Sequence, residues 1–136
     1  MSPEKRNSLV TWVAKAEEDL LSAEKLATGD PSQFIGVICF HCQQCAEKYL
    51  KAFLIYHDFN FQKVHDLEVL LKNCQQFDND FETLDYKNLT DFAVDYRYFQ
   101  DEYTPDVEEM NYFLMLANRT KVLVLSKIKL DFSHGK

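Results

Sequence analysis

Apolar residues recur every three or four positions along most of the chain, the period of helices that each bury one face. Leu9, Trp12, Val13, Ala16, Leu20, Ala23 and Ala27 make the first such stripe, in a helix predicted to begin after Asn7–Ser8, with "K-EED" on its solvated outer side. Gly29 followed by Asp30–Pro31 stops it and restarts the chain. A second helix is predicted from about Ser32 to His57, since "QQCAEKYLKAF" holds strong helix formers and the segment has no Gly or Pro after Gly36. "NFQKVHD" breaks the pattern. A shorter helix follows, with Leu67, Leu70, Leu71, Cys74 and Phe77 on one face, and "DNDFETLD" reads as a polar connection. A fourth helix carries Leu89, Phe92, Ala93 and Tyr96. The last is predicted to take Thr104 as N-cap and Pro105 at its first position, with Asp106, Glu108 and Glu109 at the positive end of the dipole. Met110, Leu114, Ala117, Val124 and Ile128 are its buried stripe, and Lys127 and Lys129 close the negative end.

The pattern therefore predicts an all-α fold, an antiparallel up-and-down bundle of about five helices with short loops. One domain over 1–130 and a C-terminal tail over 131–136 account for all 136 residues. With 46% hydrophobic residues the chain can build a core, and 3 Gly and 3 Pro are too few for a turn-rich β fold. No apolar run approaches the roughly 20 residues that span a bilayer. "MSPEKRNSLVTWVAKAEEDL" has charges where a secretory signal needs an apolar stretch, so the expected compartment is the cytoplasm and the four cysteines are expected as thiols. A net charge of -7 argues against a generally basic nucleic-acid binder and leaves room for a local basic cleft.

"CFHCQQC", residues 39 to 45, gathers three cysteines and a histidine. On a helix, the three thiols fan over roughly 120° at about 100° per residue, and His41 lies further away still. A tetrahedral site needs ligands that converge, so no metal is expected here and the cysteines read as small buried hydrophobes. Ile38, Cys42, Cys45, Tyr49, Phe53 and Tyr56 share that apolar side, widened by Cys39, Ala46 and Leu50. His41, Gln44, Glu47, Lys48 and Lys51 form a continuous polar stripe on the other. That stripe is either a solvated face with i,i+4 pairs such as Glu47–Lys51, or a functional groove.

"WVAKAEEDLLSAEKL", "FHCQQCAEKYLKAFL", "KVHDLEVLL" and "DYRYF", in that order, resemble the HEPN domain, especially its small stand-alone prokaryotic members, over about residues 8 to 129. The resemblance implies a helical bundle that pairs into a homodimer. It also implies partnership with a separately encoded nucleotidyltransferase, as a toxin–antitoxin or nucleotide-handling pair. The family's best-known activity is metal-independent RNA cleavage by an Arg followed, after four to six residues, by a His. Arg97 in "DYRYF" matches the Arg, while Glu102, Tyr103 and Thr104 stand where the His belongs. The ribonuclease motif is therefore incomplete.

Arg97 has Asp95, Asp101 and Glu102 near it in sequence and is either locally paired or an anion contact for a nucleotide phosphate, helped by Lys48, Lys51 or His65. His65–Asp66 reads as a helix start, with a catalytic role as the alternative. Trp12 is expected in the core or a dimer interface. The chain has no Gly-rich phosphate loop, Ser-His-Asp order or HExxH, and no cofactor is expected. The reading taken forward is a HEPN-like binding or accessory domain for nucleotide or RNA, with Arg97, Lys48, Lys51, His41, Gln44 and His65 as ligand-binding candidates. A divergent ribonuclease toxin and a purely protein-interacting bundle are the alternatives.

Overall fold

The computed structural model describes residues 1–61, 63–87, 89 and 105–130. Among them are four α-helices and no strand: α1 (Pro3–Ala27), α2 (Ile35–Tyr56), α3 (Leu67–Gln75) and α4 (Val107–Lys127), with 3-10 turns at Pro31–Gln33 and Asn79–Thr83. The expected all-α class holds, with four of the about five expected helices among the described residues. The predicted helix around Phe92, Ala93 and Tyr96 lies outside the described residues, as does the expected tail from Asp131 onward. No described helix is long and apolar enough to cross a membrane.

Local chemistry moves several helix ends. α1 begins before Asn7–Ser8, because Ser2 is the better start: its hydroxyl accepts the Lys5 N–H at 3.1 Å and Pro3 takes the first position. Gly29, at φ 75, turns the chain out of α1, and Asp30 caps the 3-10 turn that precedes α2. α2 therefore starts at Ile35, not at Ser32. α4 starts at Val107 rather than at Pro105: Asp106 is its N-cap, accepting the Glu109 N–H at 2.8 Å, while Thr104, the expected cap, lies outside the described residues. Asp66 caps α3 through the Glu68 N–H at 2.9 Å, in line with its expected place at that helix start.

α2 is the central element, with 13 of its 22 residues buried. Its apolar side holds Ile38, Cys39, Cys42, Cys45, Ala46, Tyr49, Leu50 and Phe53, all at most 1% exposed. α1 lies antiparallel to it: Asp19 meets His41 and Lys48, while Trp12 meets Lys51 one end further on. α4 also runs against α1, since Asn118 reaches Glu24 and Lys121 reaches Glu17. Three hydroxyls of buried residues lock this core. Tyr49 donates to Glu17 at 3.1 Å, and burial together with that carboxylate raises its phenol above the ordinary range. Thr120 donates to the Leu116 carbonyl at 2.8 Å, so Tyr86 is the donor in the 2.6 Å bond between Tyr86 and Thr120.

Two expectations about burial are corrected. "DNDFETLD" is not merely a polar connection: its 3-10 turn, capped by Asp78, drives Phe81 into the core against Phe53, with ring centroids 4.5 Å apart. Phe77 follows the end of α3 instead of lying on its buried face, and it stacks on His57 at 4.6 Å while 40% exposed. Leu67, Leu70, Leu71 and Cys74 are buried as the pattern predicts. On α4, Met110, Ala117 and Val124 are buried, as is Ile128 at its C-cap, Leu114 is half-buried, and Phe113, Leu116 and Thr120 complete the stripe.

All four cysteines are free and buried. Burial pushes the Cys39 thiol up to about 12, and it raises those of Cys42, Cys45 and Cys74 further. At pH 8 a thiol of that kind is thiolate in only about one molecule in ten thousand, and the thiolate is the reactive form. Native protein at pH 8 is therefore expected to react with a disulfide reagent far more slowly than a free thiol, and to titrate all four cysteines once unfolded in guanidinium. Fast titration of any cysteine in the native state would contradict this packing.

Candidate functional site

The polar stripe predicted on α2 exists, but it is not a solvated face. It is organised around two carboxylates. Asp19 of α1, 9% exposed, accepts from His41 Nδ1 at 2.9 Å and from Lys48 Nζ at 2.5 Å. Glu47 of α2, 4% exposed, accepts on Oε1 from Gln43 Nε2 at 2.9 Å, and on Oε2 from Lys51 Nζ and His65 Nδ1, both at 2.8 Å. Gln44 Nε2 extends this chain by donating to Gln43 Oε1 at 2.6 Å.

Helix geometry explains the arrangement. Residues three or four apart share a face, so Gln43, Glu47 and Lys51 stack along one line of α2. The i,i+4 pair Glu47–Lys51 is present, with both side chains about 5% exposed or less. Its burial goes against the solvated-face alternative: the Lys51 ammonium lies 5.6 Å from the Trp12 ring centroid and 5.3 Å from that of Phe61. These rings replace water around the cation, a favourable contact when desolvated. His65, just before α3, closes the network from outside with a side chain 64% exposed.

Five of the six candidate residues therefore join two neighbouring hubs: His41 and Lys48 on Asp19, and Gln44, Lys51 and His65 on the chain through Glu47. Arg97 lies outside the described residues. Sequence reasoning misses Asp19, which it places in the solvated "K-EED" run. The signal is there: Asp19 stands three after Ala16 and four before Ala23, on the edge of the buried stripe. Gln43 is missed as well, although it stands four before Glu47.

Carboxylates only accept, so each histidine presents Nδ1–H inward. The other ring nitrogen is left to meet whatever lies outside, on a ring held in place as oriented histidines are in acid–base and binding sites. The lysines are neutralised in place. The stripe is thus a set of fixed donors and acceptors rather than a free basic patch. Among the described residues, no three His, Cys, Asp or Glu side chains converge as a metal site requires.

These elements make an all-helical domain with a charged network on its central helix. The family model described as "HEPN domain" matches residues 9–123, and the chain belongs to this family. HEPN domains are generally nucleotide- or RNA-related and often associated with toxin–antitoxin pairs. No curated protein and no solved structure matches the chain.

Removing one member of a buried ion pair strands the other, at a cost of about 3–5 kcal/mol. Glu47→Ala, which leaves Lys51 unpaired between two rings, is expected to lower unfolding stability by about that amount in urea denaturation. Replacing both residues with Met is expected to cost less than Glu47→Ala alone. A loss of about 1 kcal/mol or less for Glu47→Ala is the value of an exposed pair and would contradict the burial.

Proposed function

We propose that this HEPN domain is a nucleotide- or RNA-associated binding module that acts beside a separately encoded nucleotidyltransferase, as one half of a toxin–antitoxin type pair. The observation that carries the reading is the α2 network in a HEPN chain. His41, Lys48 and Lys51, three of the groups singled out for ligand contact, are each held in a fixed orientation by a carboxylate. Fixed donors suit recognition of a small polar ligand, because little side-chain freedom remains to be lost on binding. Arg97 supplies the anion contact in this reading.

Binding is favoured over cleavage for a chemical reason. Metal-free cleavage needs a group that takes a proton near neutral pH as well as a cation facing the developing charge. Arg97 is followed by Glu102, Tyr103 and Thr104 where the family's motif has its His. Losing general acid–base help costs roughly 10²–10⁴-fold in rate.

Incubation of structured and single-stranded RNA with the protein is expected to give no cleavage above background. Nucleotide binding is expected to weaken about tenfold in Arg97→Ala, the worth of one charge-assisted hydrogen bond. Robust cutting by the wild type that the variant abolishes would restore the toxin reading. Co-purification from the native host, with mass spectrometry of what is retained, tests the partnership: a nucleotidyltransferase is expected, and its consistent absence counts against the pair.

HEPN proteins often dimerise, and we extend this to the present chain. Light scattering at micromolar concentration is expected to give twice the monomer mass, and a monomer would reject the assignment.

A further inference from the structure

The Glu47 hub is unevenly enclosed. Its carboxylate and the Lys51 ammonium are 5% and 4% exposed, yet the donor that completes the hub, His65, is 64% exposed. Phe61 sits beside it, edge-on to Trp12 with centroids 6.2 Å apart, and 5.3 Å from the Lys51 ammonium. Both Phe61 and His65 come from the connection between α2 and α3, whereas Trp12, Glu47 and Lys51 belong to the two long helices. The helices thus provide an aromatic wall, a carboxylate and an ammonium. The connection provides an aromatic ring beside Trp12 and Lys51 and an N–H donor on Glu47.

We propose that Phe61 and His65 are an internal plug in a nucleobase site built from Trp12, Glu47 and Lys51, and that the base which displaces them is guanine. The proposal rests on the nucleotide-binding reading above and adds where the base sits and what covers it. Phe61 brings an aromatic edge to Trp12 and His65 brings an N–H to Glu47, the two kinds of contact, ring and hydrogen-bonding edge, by which a base is read. A carboxylate accepts and cannot donate, so it selects an edge of donors. Guanine presents its ring N–H and exocyclic amino group side by side, with an acceptor oxygen next to them for Lys51. Adenine sets an acceptor nitrogen beside its amino group, and that lone pair faces the carboxylate unfavourably. Gln43 keeps its bond to Oε1 of Glu47 and so holds the carboxylate from its own helix.

The chain has a single tryptophan, Trp12, so its fluorescence reports this site alone. Acrylamide quenching of Trp12 is expected to rise in Phe61→Ala and in His65→Ala, with circular dichroism confirming the helical fold. GMP is expected to change Trp12 fluorescence and to bind Phe61→Ala at least about tenfold more tightly than the wild type, one plug contact being worth about 1.4 kcal/mol. AMP is expected to bind that variant more weakly than GMP. Glu47→Gln in the Phe61→Ala background is expected to remove the preference for GMP. If that double variant does not fold, Lys51→Met in the same background supplies the second reading, a loss of GMP affinity.

Unchanged quenching and unchanged GMP affinity in Phe61→Ala would overturn the plug. GMP or AMP bound by the wild type with Trp12 silent, and with affinity sensitive to Arg97→Ala, would overturn it while leaving the binding function standing. A Phe61→Ala variant whose Trp12 opens to acrylamide but which binds neither nucleotide overturns the guanine assignment. If the wild type also binds neither by equilibrium dialysis, the nucleotide reading falls with it.

Discussion

Glu47 and Lys51 form an ion pair taken almost wholly out of water in the middle of α2, and much of the molecule's organisation follows from keeping it satisfied. Two desolvated charges are tolerated only when good geometry and further hydrogen bonds offset the loss of water. Lys51 has the carboxylate at 2.8 Å and the Trp12 and Phe61 rings close to its ammonium. Glu47 has Gln43 from its own helix and His65 from the chain before α3. The pair therefore ties the α1 face that carries Trp12, and both sides of the α2–α3 connection, to one point on the central helix.

The same helix divides its two sides by chemistry. One side is packed with small sulfur-bearing and aromatic residues that let α1 and α4 approach closely. The other carries amides, cations and histidines held by Asp19 and Glu47. Among the described residues, no buried side-chain nitrogen or oxygen lacks a partner. A polar network of this kind favours one arrangement of neighbours, because a slip of any element would leave a buried charge unpaired. Membership of the HEPN family agrees with this division: the QQ-AEK-LKA segment that carries the resemblance is the segment that builds the network.

Helix existence is legible in the chain because an apolar period near 3.6 residues, sustained over roughly twenty positions, matches a helix and not a strand. Hence α1, α2, α3 and α4 all appear where their stripes stand, and the burial of Cys39, Cys42, Cys45 and Cys74 follows from the same angular geometry. Helix ends are less legible because caps compete locally. Ser2–Pro3 displaces Asn7–Ser8, and Asp106 starts α4 two residues beyond the expected Pro105, each by one side-chain bond to a nearby backbone N–H. Phe81 escapes notice because a single aromatic among acidic and amide neighbours has no period. Its burial is set by Phe53, 28 positions earlier.

An all-helical chain, the apolar side of each helix, the thiols as core residues, the family and the incomplete Arg-His motif can all be read from the sequence without a structure. Each is a property of order and spacing along one helix or one segment. The enclosure of the α2 polar stripe is different, because it arises only when the helices pack. Glu47 and Lys51 look like any solvated i,i+4 pair until Trp12, 39 positions before Lys51, and His65, 18 positions after Glu47, are brought against them. Likewise, Asp19 looks like one charge in an acidic run until His41 and Lys48 arrive from the neighbouring helix. Whether a charge faces water or a partner depends on what packs over it, and residues that meet from different helices leave no period in the sequence.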